Sequence, residues 1–319
     1  MQDPVRHDFC LAEVRAIHDL GLLELVDRAR AVHVRNQPAR EIQLCTLLSV
    51  KTGRCPEDCS YCPQSSHYKT PVSGDGMLGL ADVLAAAERA RAIGASRLCM
   101  GAAWREVKEG AGFEQVLEMV RSVRRLGLET CCTLGMLTFE QARRLKEAGL
   151  NAYNHNLDTS RDHYRSIVTT HTYEERLQTL RAIRDAGISV CTGGIIGMGE
   201  SIDDRCKMLV ELASFDPHPE SVPINALVRV AGTPLESLPP VDPLEVVRMI
   251  ATARILMPRS LVRLSAGRCE LGREAQLLCL YAGANSIFFG DKLLTTPNPR
   301  EDEDGALLRE AGLTPMAPA

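Results

Sequence analysis

The chain has 319 residues, 45% of them hydrophobic, and a formal net charge of −4 from 37 basic and 41 acidic side chains. That composition can build a proper core, and the absence of any Lys/Arg block or basic stripe argues against nucleic acid as a partner. The start, MQDPVRHDFCLAEVRAIHDL, is charged throughout without an apolar signal core, and no window approaches the ~20 apolar residues that cross a bilayer, so a cytoplasmic protein without membrane contact is expected.

A helical pattern from about Leu11 to Arg35 makes 1–40 an N-terminal helical extension. Strand-like runs then alternate with amphipathic helices: IQLCTLLSV from Ile42, SRLCMG from Ser96, LETCCTL from Leu128 and NAYNHNL from Asn151. Four more follow, ISVCTGGII from Ile188, SVPINALVRV from Ser221, LVRLSAG from Leu261 and NSIFFG from Asn285. Between them lie segments such as ADVLAAAERARAI and TFEQARRLKEAG, several ending in Gly as helices often do. Eight such repeats, with no G-x-G-x-x-G after the first strand, predict an α/β chain with a (β/α)8 TIM-type barrel over 41–295 rather than an open doubly wound sheet. Residues 296–319, with TPNPREDEDG and TPMAPA, read as a C-terminal surface tail.

Side chains alternate faces along a strand, so an apolar set that packs on the outer helices identifies the residues facing the barrel axis. In the third strand Leu128, Thr130, Cys132 and Leu134 form the outward set, which leaves Glu129, Cys131 and Thr133 inside. The same division sends Arg97, Cys99, Ser189, Cys191, Arg263 and Ser265 inward, together with Asn154, Asn156 and Asp158 on one stripe and Asn225. Barrel interiors are ordinarily filled by branched aliphatics. Converging buried polar groups require mutual satisfaction, by a ligand, a metal centre or a charged network. Singly, Cys99, Cys131 and Cys191 are unremarkable as core thiols; together they favour a metal centre. Cys45 shares the inward parity but lies near the start of its strand, and is assigned to the core.

Twelve cysteines are many for a chain expected in a reducing compartment, and Cys10, Cys206, Cys269 and Cys279 have no ligand spacing. GRCPEDCSYCPQSS, directly after the first strand, is different: Cys55, Cys59 and Cys62 follow the order Cys-x3-Cys-x2-Cys with no second knuckle of the kind structural zinc uses. Three thiolates suit three irons of a cubane and leave a fourth without a protein ligand. Gly193, Gly194, Gly197 and Gly199 allow either close approach of backbone to a cofactor or a plain strand-end turn.

The run from Cys55 to Cys62, with Tyr61 before the last cysteine, resembles the signature of radical S-adenosylmethionine (SAM) enzymes. The blocks KTGRCPEDCSYCPQSSHYKT, CMGAAWR, LETCCTLGML, YNHNLDTS, CTGGIIGMGE, VPINALV and VRLSAGR are more specifically similar to the biotin synthase family, from about Thr46 to Pro299. The resemblance implies a [4Fe-4S] cluster on Cys55, Cys59 and Cys62 whose open iron binds SAM and whose reduction yields 5′-deoxyadenosyl radicals. It further implies a sulfur-supplying [2Fe-2S] cluster on Cys99, Cys131, Cys191 and Arg263, and dethiobiotin as substrate. Matching positions put Tyr61, Asn156 and Asp158 at SAM and Asn154, Asn156 and Asn225 at the substrate, with no side-chain acid or base. A flavodoxin or ferredoxin as electron donor and a homodimer are family expectations.

From the residues alone, Arg263 is a counter-charge or donor beside sulfide, because a guanidinium stays protonated. Two other readings stand beside the resemblance: another radical SAM enzyme of hydrogenase-maturation type, which has no need of the inward Cys99, Cys131, Cys191 and Arg263 as a set, and a non-enzymatic iron-sulfur or zinc barrel.

Overall fold

The computed structural model describes residues 5–318, so the outermost residues of the expected extension and tail lie outside the described residues. Helices α1 (Leu11–His18) and α2 (Leu22–Asn36) come first, and α2 buries Leu25, Val26, Ala29 and His33 along one stripe. The first half of the barrel is β1 (Glu41–Lys51), α3 (Leu80–Ala92), β2 (Arg97–Ala102), α4 (Ala111–Arg125), β3 (Glu129–Thr133), α5 (Phe139–Glu147) and β4 (Ala152–Asn154). Then follow α6 (Arg161–Ile167), α7 (Tyr173–Asp185), β5 (Ser189–Cys191), β6 (Gly194–Ile196), α8 (Ile202–Ala213), β7 (Ser221–Ala226), α9 (Pro243–Leu256) and β8 (Leu261–Leu264). The chain finishes with α10 (Arg273–Tyr281), β9 (Ser286–Phe288), α11 (Glu301–Ala311) and β10 (Thr314–Pro315).

Neighbouring strands run β1-β2-β3-β4-β5-β7-β8-β9, all parallel, and β9 pairs back onto β1 with Gln43 opposite Ser286 and Cys45 opposite Phe288. The sheet is therefore a closed TIM-type barrel, as the eight repeats predict. The helices each bury one face on it. In α4, Phe113, Val116, Leu117, Val120 and Val123 recur at helical spacing and are all buried, each contributing roughly 1.5–3 kcal/mol relative to exposure. Helix α9 is buried nearly all round because β7 and β8 lie on one side and α1 and α2 on the other.

The expected fifth strand is broken in two, β5 and β6. The interruption comes from close approach of backbones: a Cβ on Gly193 would sit 2.0 Å from the Pro223 carbonyl oxygen, and one on Gly194 would sit 2.0 Å from the Met208 sulfur. These glycines fit strand to strand and strand to helix, which favours the strand-end reading of this pair. Because the obstacle at Gly193 is backbone, Gly193→Ala is expected to lower unfolding stability by about 2 kcal/mol or more in urea denaturation; an unchanged midpoint would show that β7 can yield.

Residues beyond the expected barrel boundary fold as α11 and β10 rather than as an irregular tail. Leu307 and Leu308 are buried, Asp304 pairs with buried Arg268, and β10 extends the sheet beside Glu41 and Ile42 of β1. The acidic run of the expected surface tail occupies the first turn of α11, where carboxylates suit the helix dipole. Among the described residues, no helix is long and apolar enough to cross a membrane.

The strands separate two cores. The large outer one lies between sheet and helices and includes Cys132, Met100 and Tyr153. The small inner one consists of Cys45, Cys99, Cys131 and Ala152, flanked by Leu47 and Phe288.

Candidate active site

The three-cysteine loop leaves the top of β1 through Gly53 and Arg54, both at positive φ, and closes on itself where the Cys55 N–H donates to the Gln64 carbonyl at 2.9 Å and the Ser66 N–H to the Cys55 carbonyl at 2.8 Å. The residues between the cysteines hold the loop down. Glu57, 5% exposed, accepts from Arg105 Nη1 at 2.8 Å on one oxygen, and its other oxygen accepts from the Thr170 hydroxyl and lies 2.6 Å from His171 Nδ1. Asp58 accepts from the Thr169 and Thr170 N–H groups at 2.9 and 3.2 Å. Partial burial works against its charge, but the hydrogen bonds from Thr169 and Thr170 outweigh it and bring the carboxyl down to about 2. The Ser60 N–H donates to the Ile167 carbonyl at 3.0 Å. The sequence reading takes only the thiols and Tyr61 from this stretch and misses the tethering carboxylates; their partners at 167–171 lie more than a hundred residues away, with no local pattern to join them.

Burial pushes the thiols of Cys55 and Cys59 upward and that of Cys62 to about 11. A bound cation inverts this preference by stabilising thiolate. Among the described residues no group of three or more His, Cys, Asp or Glu side chains is arranged to hold a metal ion. A polynuclear cluster spreads its ligands over several irons.

Two cavities open above and inside the barrel. One, of about 950 Å³, is lined by Cys55, Cys59, Trp104, Arg105 and Arg176. The other, of about 1090 Å³ including space open to solvent, descends past Pro223 and Asn225 to Cys99, Cys131 and Arg263. They share Tyr61, Cys62, Asn154, Asn156 and Asp158 as a common wall. The predicted inward stripe of β4 and the residues after it therefore separates a cavity over the loop from one reaching the interior thiols.

That wall is built rigidly. Asp158, 1% exposed and at φ 66, accepts from the Tyr61 hydroxyl at 2.9 Å and pairs with Arg176 Nη2 at 2.8 Å through the same oxygen. Arg176 also donates to the Asn156 carbonyl at 2.7 Å and to the Tyr164 hydroxyl. Asn154 Nδ2 lies 3.2 Å from Asn156 Oδ1 and 3.3 Å from Cys191 Sγ. The Asn225 carboxamide is committed to backbone, donating to the Gly194 carbonyl at 2.9 Å and accepting from Ala266 N–H at 3.1 Å. Arg176, unassigned from sequence, is the cation on which this wall rests. Arg176→Met strands a buried carboxylate and is expected to lower unfolding stability by about 3 kcal/mol, measured by denaturant titration; a loss below 1 kcal/mol would mean Tyr61 and solvent suffice for Asp158.

Deeper down, Cys99, Cys131, Cys191 and Arg263 converge as parity predicts, each 4% exposed or less. Arg263 Nη1 lies 3.8 Å from Cys191 Sγ, Nε donates to Ser286 Oγ at 2.9 Å, and Nη2 to Gln43 Oε1 at 3.3 Å. The guanidinium also stands over the Phe288 ring, 4.8 Å from its centre. Burial works against its charge, but the thiols of Cys45, Cys191 and Cys99 outweigh it and hold the group cationic. Below this layer Arg97 Nε donates to Glu129 Oε2 at 2.7 Å. Cys45, inward by parity and assigned to the core from sequence, is fully buried in the inner core, and its Sγ lies 3.2 Å from Arg263 Nη2. The strand register sets Cys45 level with Arg97, one inward step below Cys99, and beside Phe288 on the other side.

Two family profiles match the chain, the radical SAM superfamily over residues 49–213 and the biotin and thiamin synthesis associated domain over 223–314. Biotin synthase of Sorangium cellulosum (strain So ce56) is 72% identical over 314 residues, covering 98% of this chain and 90% of the relative. That of Myxococcus xanthus (strain DK1622) is 63% identical, covering 98% and 91%. The chain belongs to the biotin synthase family. It is accordingly a radical SAM enzyme, a superfamily membership that implies a [4Fe-4S] cluster and SAM, and the non-enzymatic reading falls away. Among solved structures, methylornithine synthase (PylB) aligns with TM-score 0.80 at 20% identity over 96% of this chain and 94% of that one. The hydrogenase maturase HydG aligns with TM-score 0.83 at 17% identity over 98% and 73%. At those identities the two structures share the barrel with this family, and the likeness to HydG does not revive the maturase reading.

Proposed function

We propose that the protein converts dethiobiotin to biotin by SAM-dependent sulfur insertion. The observation that carries this reading is the continuity of two thiol sets through one cavity wall, Cys55, Cys59 and Cys62 above it and Cys99 and Cys131 with Arg263 below, Cys191 standing behind Arg263. The upper three would hold a [4Fe-4S] cluster and the lower set a [2Fe-2S] cluster. Their fit rests on free thiols gathered at cavity ends. When bound, these groups supply, respectively, the electron that cleaves SAM and the sulfur that enters the substrate.

The chain's own residues position and shield. Tyr61, Asn156 and Asp158 would face SAM, with the Asp158 oxygen not engaged by Tyr61 and Arg176 left to accept from ribose hydroxyls. Asn154 and Asn156 would pair with the ureido N–H and C=O of dethiobiotin. Asn225 would border the substrate cavity and shape it by tying β6 to the segment after β8, its amide engaged by backbone on both sides. No side-chain acid or base is required. Lining groups such as Leu47, Val228 and Phe288 keep the interior dry around a reactive intermediate. The electron donor would be a flavodoxin or ferredoxin, and the assembly a homodimer.

The test is an anaerobic assay of reconstituted, reduced protein with SAM and dethiobiotin, quantifying 5′-deoxyadenosine and biotin. Both are expected. Deoxyadenosine without biotin would overturn the substrate assignment, and neither product under verified cluster loading would overturn the reading as a whole.

A further inference from the structure

The outer side of the cysteine loop carries a third cavity, of about 840 Å³ including space open to solvent, between that loop and the segment joining β2 to α4. Lys51, Arg54, Arg105 and Lys108 line it, with Pro56 and Trp104 as apolar wall. Arg54 and Pro56 are the chain neighbours of Cys55, so the cavity lies against the outside of the loop's first thiol residue. Trp104, the one tryptophan of the chain, and Arg105 also line the cavity that Cys55 and Cys59 border, and so form the partition between the two. No residue is shared with the cavity that descends to Asn225 and Cys99. A partner seated on the outer cavity therefore leaves the inner one open to substrate.

The charges of this rim are not neutralised locally. Elsewhere on the surface arginines sit in ion pairs, such as Arg143 with Glu140 and Arg125 with Glu118. Lys51, Arg54 and Lys108 have no carboxylate partner among the described residues. Lys51 instead donates to the Gly53 and Ala103 carbonyls at 2.6 and 2.8 Å, and the Arg54 stem lies over Gly74, which holds both cations at the rim. Arg105 is paired with Glu57 and Glu175. Of the two acidic side chains in the lining, Glu109 pairs with Arg144 at 2.6 Å, which leaves Glu106 against three cations. On a chain of net charge −4 this is a local positive field, and such a field draws in an anionic partner and speeds its arrival.

We propose that the rim formed by Lys51, Arg54 and Lys108 around Trp104 is the docking surface for an acidic one-electron carrier protein. The inference rests on the reading of the loop as the holder of a [4Fe-4S] cluster. One electron leaves the carrier, which is oxidised by one unit, and reduces the loop cluster by one unit; no bond of this chain is made or broken. Position and composition agree with that role. The rim flanks Cys55 on the side away from the substrate cavity, and its Trp and Arg side chains are of the kinds enriched where proteins meet. Redox encounters have small, weak interfaces, and electrostatic steering sets how fast they form.

The test measures, anaerobically and over a range of ionic strength, the association rate of full-length, cluster-loaded protein with an acidic flavodoxin and, in a second series, with an acidic [2Fe-2S] ferredoxin. The parent is compared with Arg54→Glu, Lys108→Glu, Glu106→Lys and Arg40→Glu. Arg40 precedes β1 at the opposite end of the barrel, so its reversal changes net charge without touching the rim. With at least one carrier, association of the parent should fall steeply as salt rises. Arg54→Glu and Lys108→Glu should each slow it by about 3-fold or more at low salt, and Glu106→Lys should speed it by about as much, a gain that misfolding cannot imitate. Arg40→Glu should stay close to the parent. Deoxyadenosine formation by the parent with dithionite in place of any carrier tests the loop reading separately. A parent that forms deoxyadenosine yet binds neither carrier, or binds with rates that the rim variants leave unchanged or that Arg40→Glu alters as much, overturns this inference alone. A parent that forms none under verified cluster loading overturns the reading of the loop and the inference with it.

Discussion

Cys59→Ala is expected to abolish deoxyadenosine formation, a fall of more than about 100-fold, beyond what loss of a supporting partner around a metal site typically causes. Cys59 is the most buried of the three loop thiols, and its neighbours are locked: Asp58 to Thr169 and Thr170, and Ser60 to Ile167. A loop tethered in this way cannot slide another thiol into the vacant place. Cys10 and Cys269, the exposed cysteines, belong to other parts of the chain. Iron content should fall by about four per chain while the interior cluster's absorption persists. Retained deoxyadenosine production would show that the loop is not the SAM-cleaving site. Loss of both clusters together would show that the loop and the interior assemble as one unit.

The barrel and its interior were readable because period-two alternation divides each strand, and because Cys99, Cys131, Cys191 and Arg263 break the aliphatic rule on the inward side. What escaped depends on contacts between distant segments. The break between β5 and β6 is set by Pro223 pressing on Gly193, and nothing in TGGII announces that neighbour. Arg176 looks like one more charge on α7 until Asp158 turns out to be its buried partner. The acidic run in α11 looks solvated until Arg268 meets Asp304. Cys45 is a buried core residue level with Arg97, as its place early in the strand indicates, but its contact with Arg263 was not legible because it crosses from β1 to β8. The family resemblance suggested roles for Asn154, Asn156 and Asn225 but not that the Asn225 amide is held by backbone on both sides.

Cys131→Ala is expected to abolish the second cluster's absorbance while Cys132→Ala leaves it intact, although the two side chains are sequence neighbours and equally hidden. In the strand register Cys131 stands beside Cys99 and Ala152, with its side chain in the inner core. Cys132 stands beside Met100 and Tyr153 in the outer core. A one-residue slip would exchange them, and it would also turn Thr130 and Leu134 inward and Glu129 away from Arg97, stranding a buried guanidinium. The register is thus fixed by more than the thiols. The stability effects should run the other way. Cys132→Ala leaves a small void among tightly packed apolar side chains and should lower unfolding stability by about 1 kcal/mol. Cys131→Ala removes a thiol bordering an open cavity, where there is less packing to lose. Absorbance after anaerobic reconstitution and urea midpoints of the cluster-free proteins measure the two effects separately. Cluster loss in Cys132→Ala with retention in Cys131→Ala would reverse the faces of β3, and with them the assignment of every inward residue on that strand.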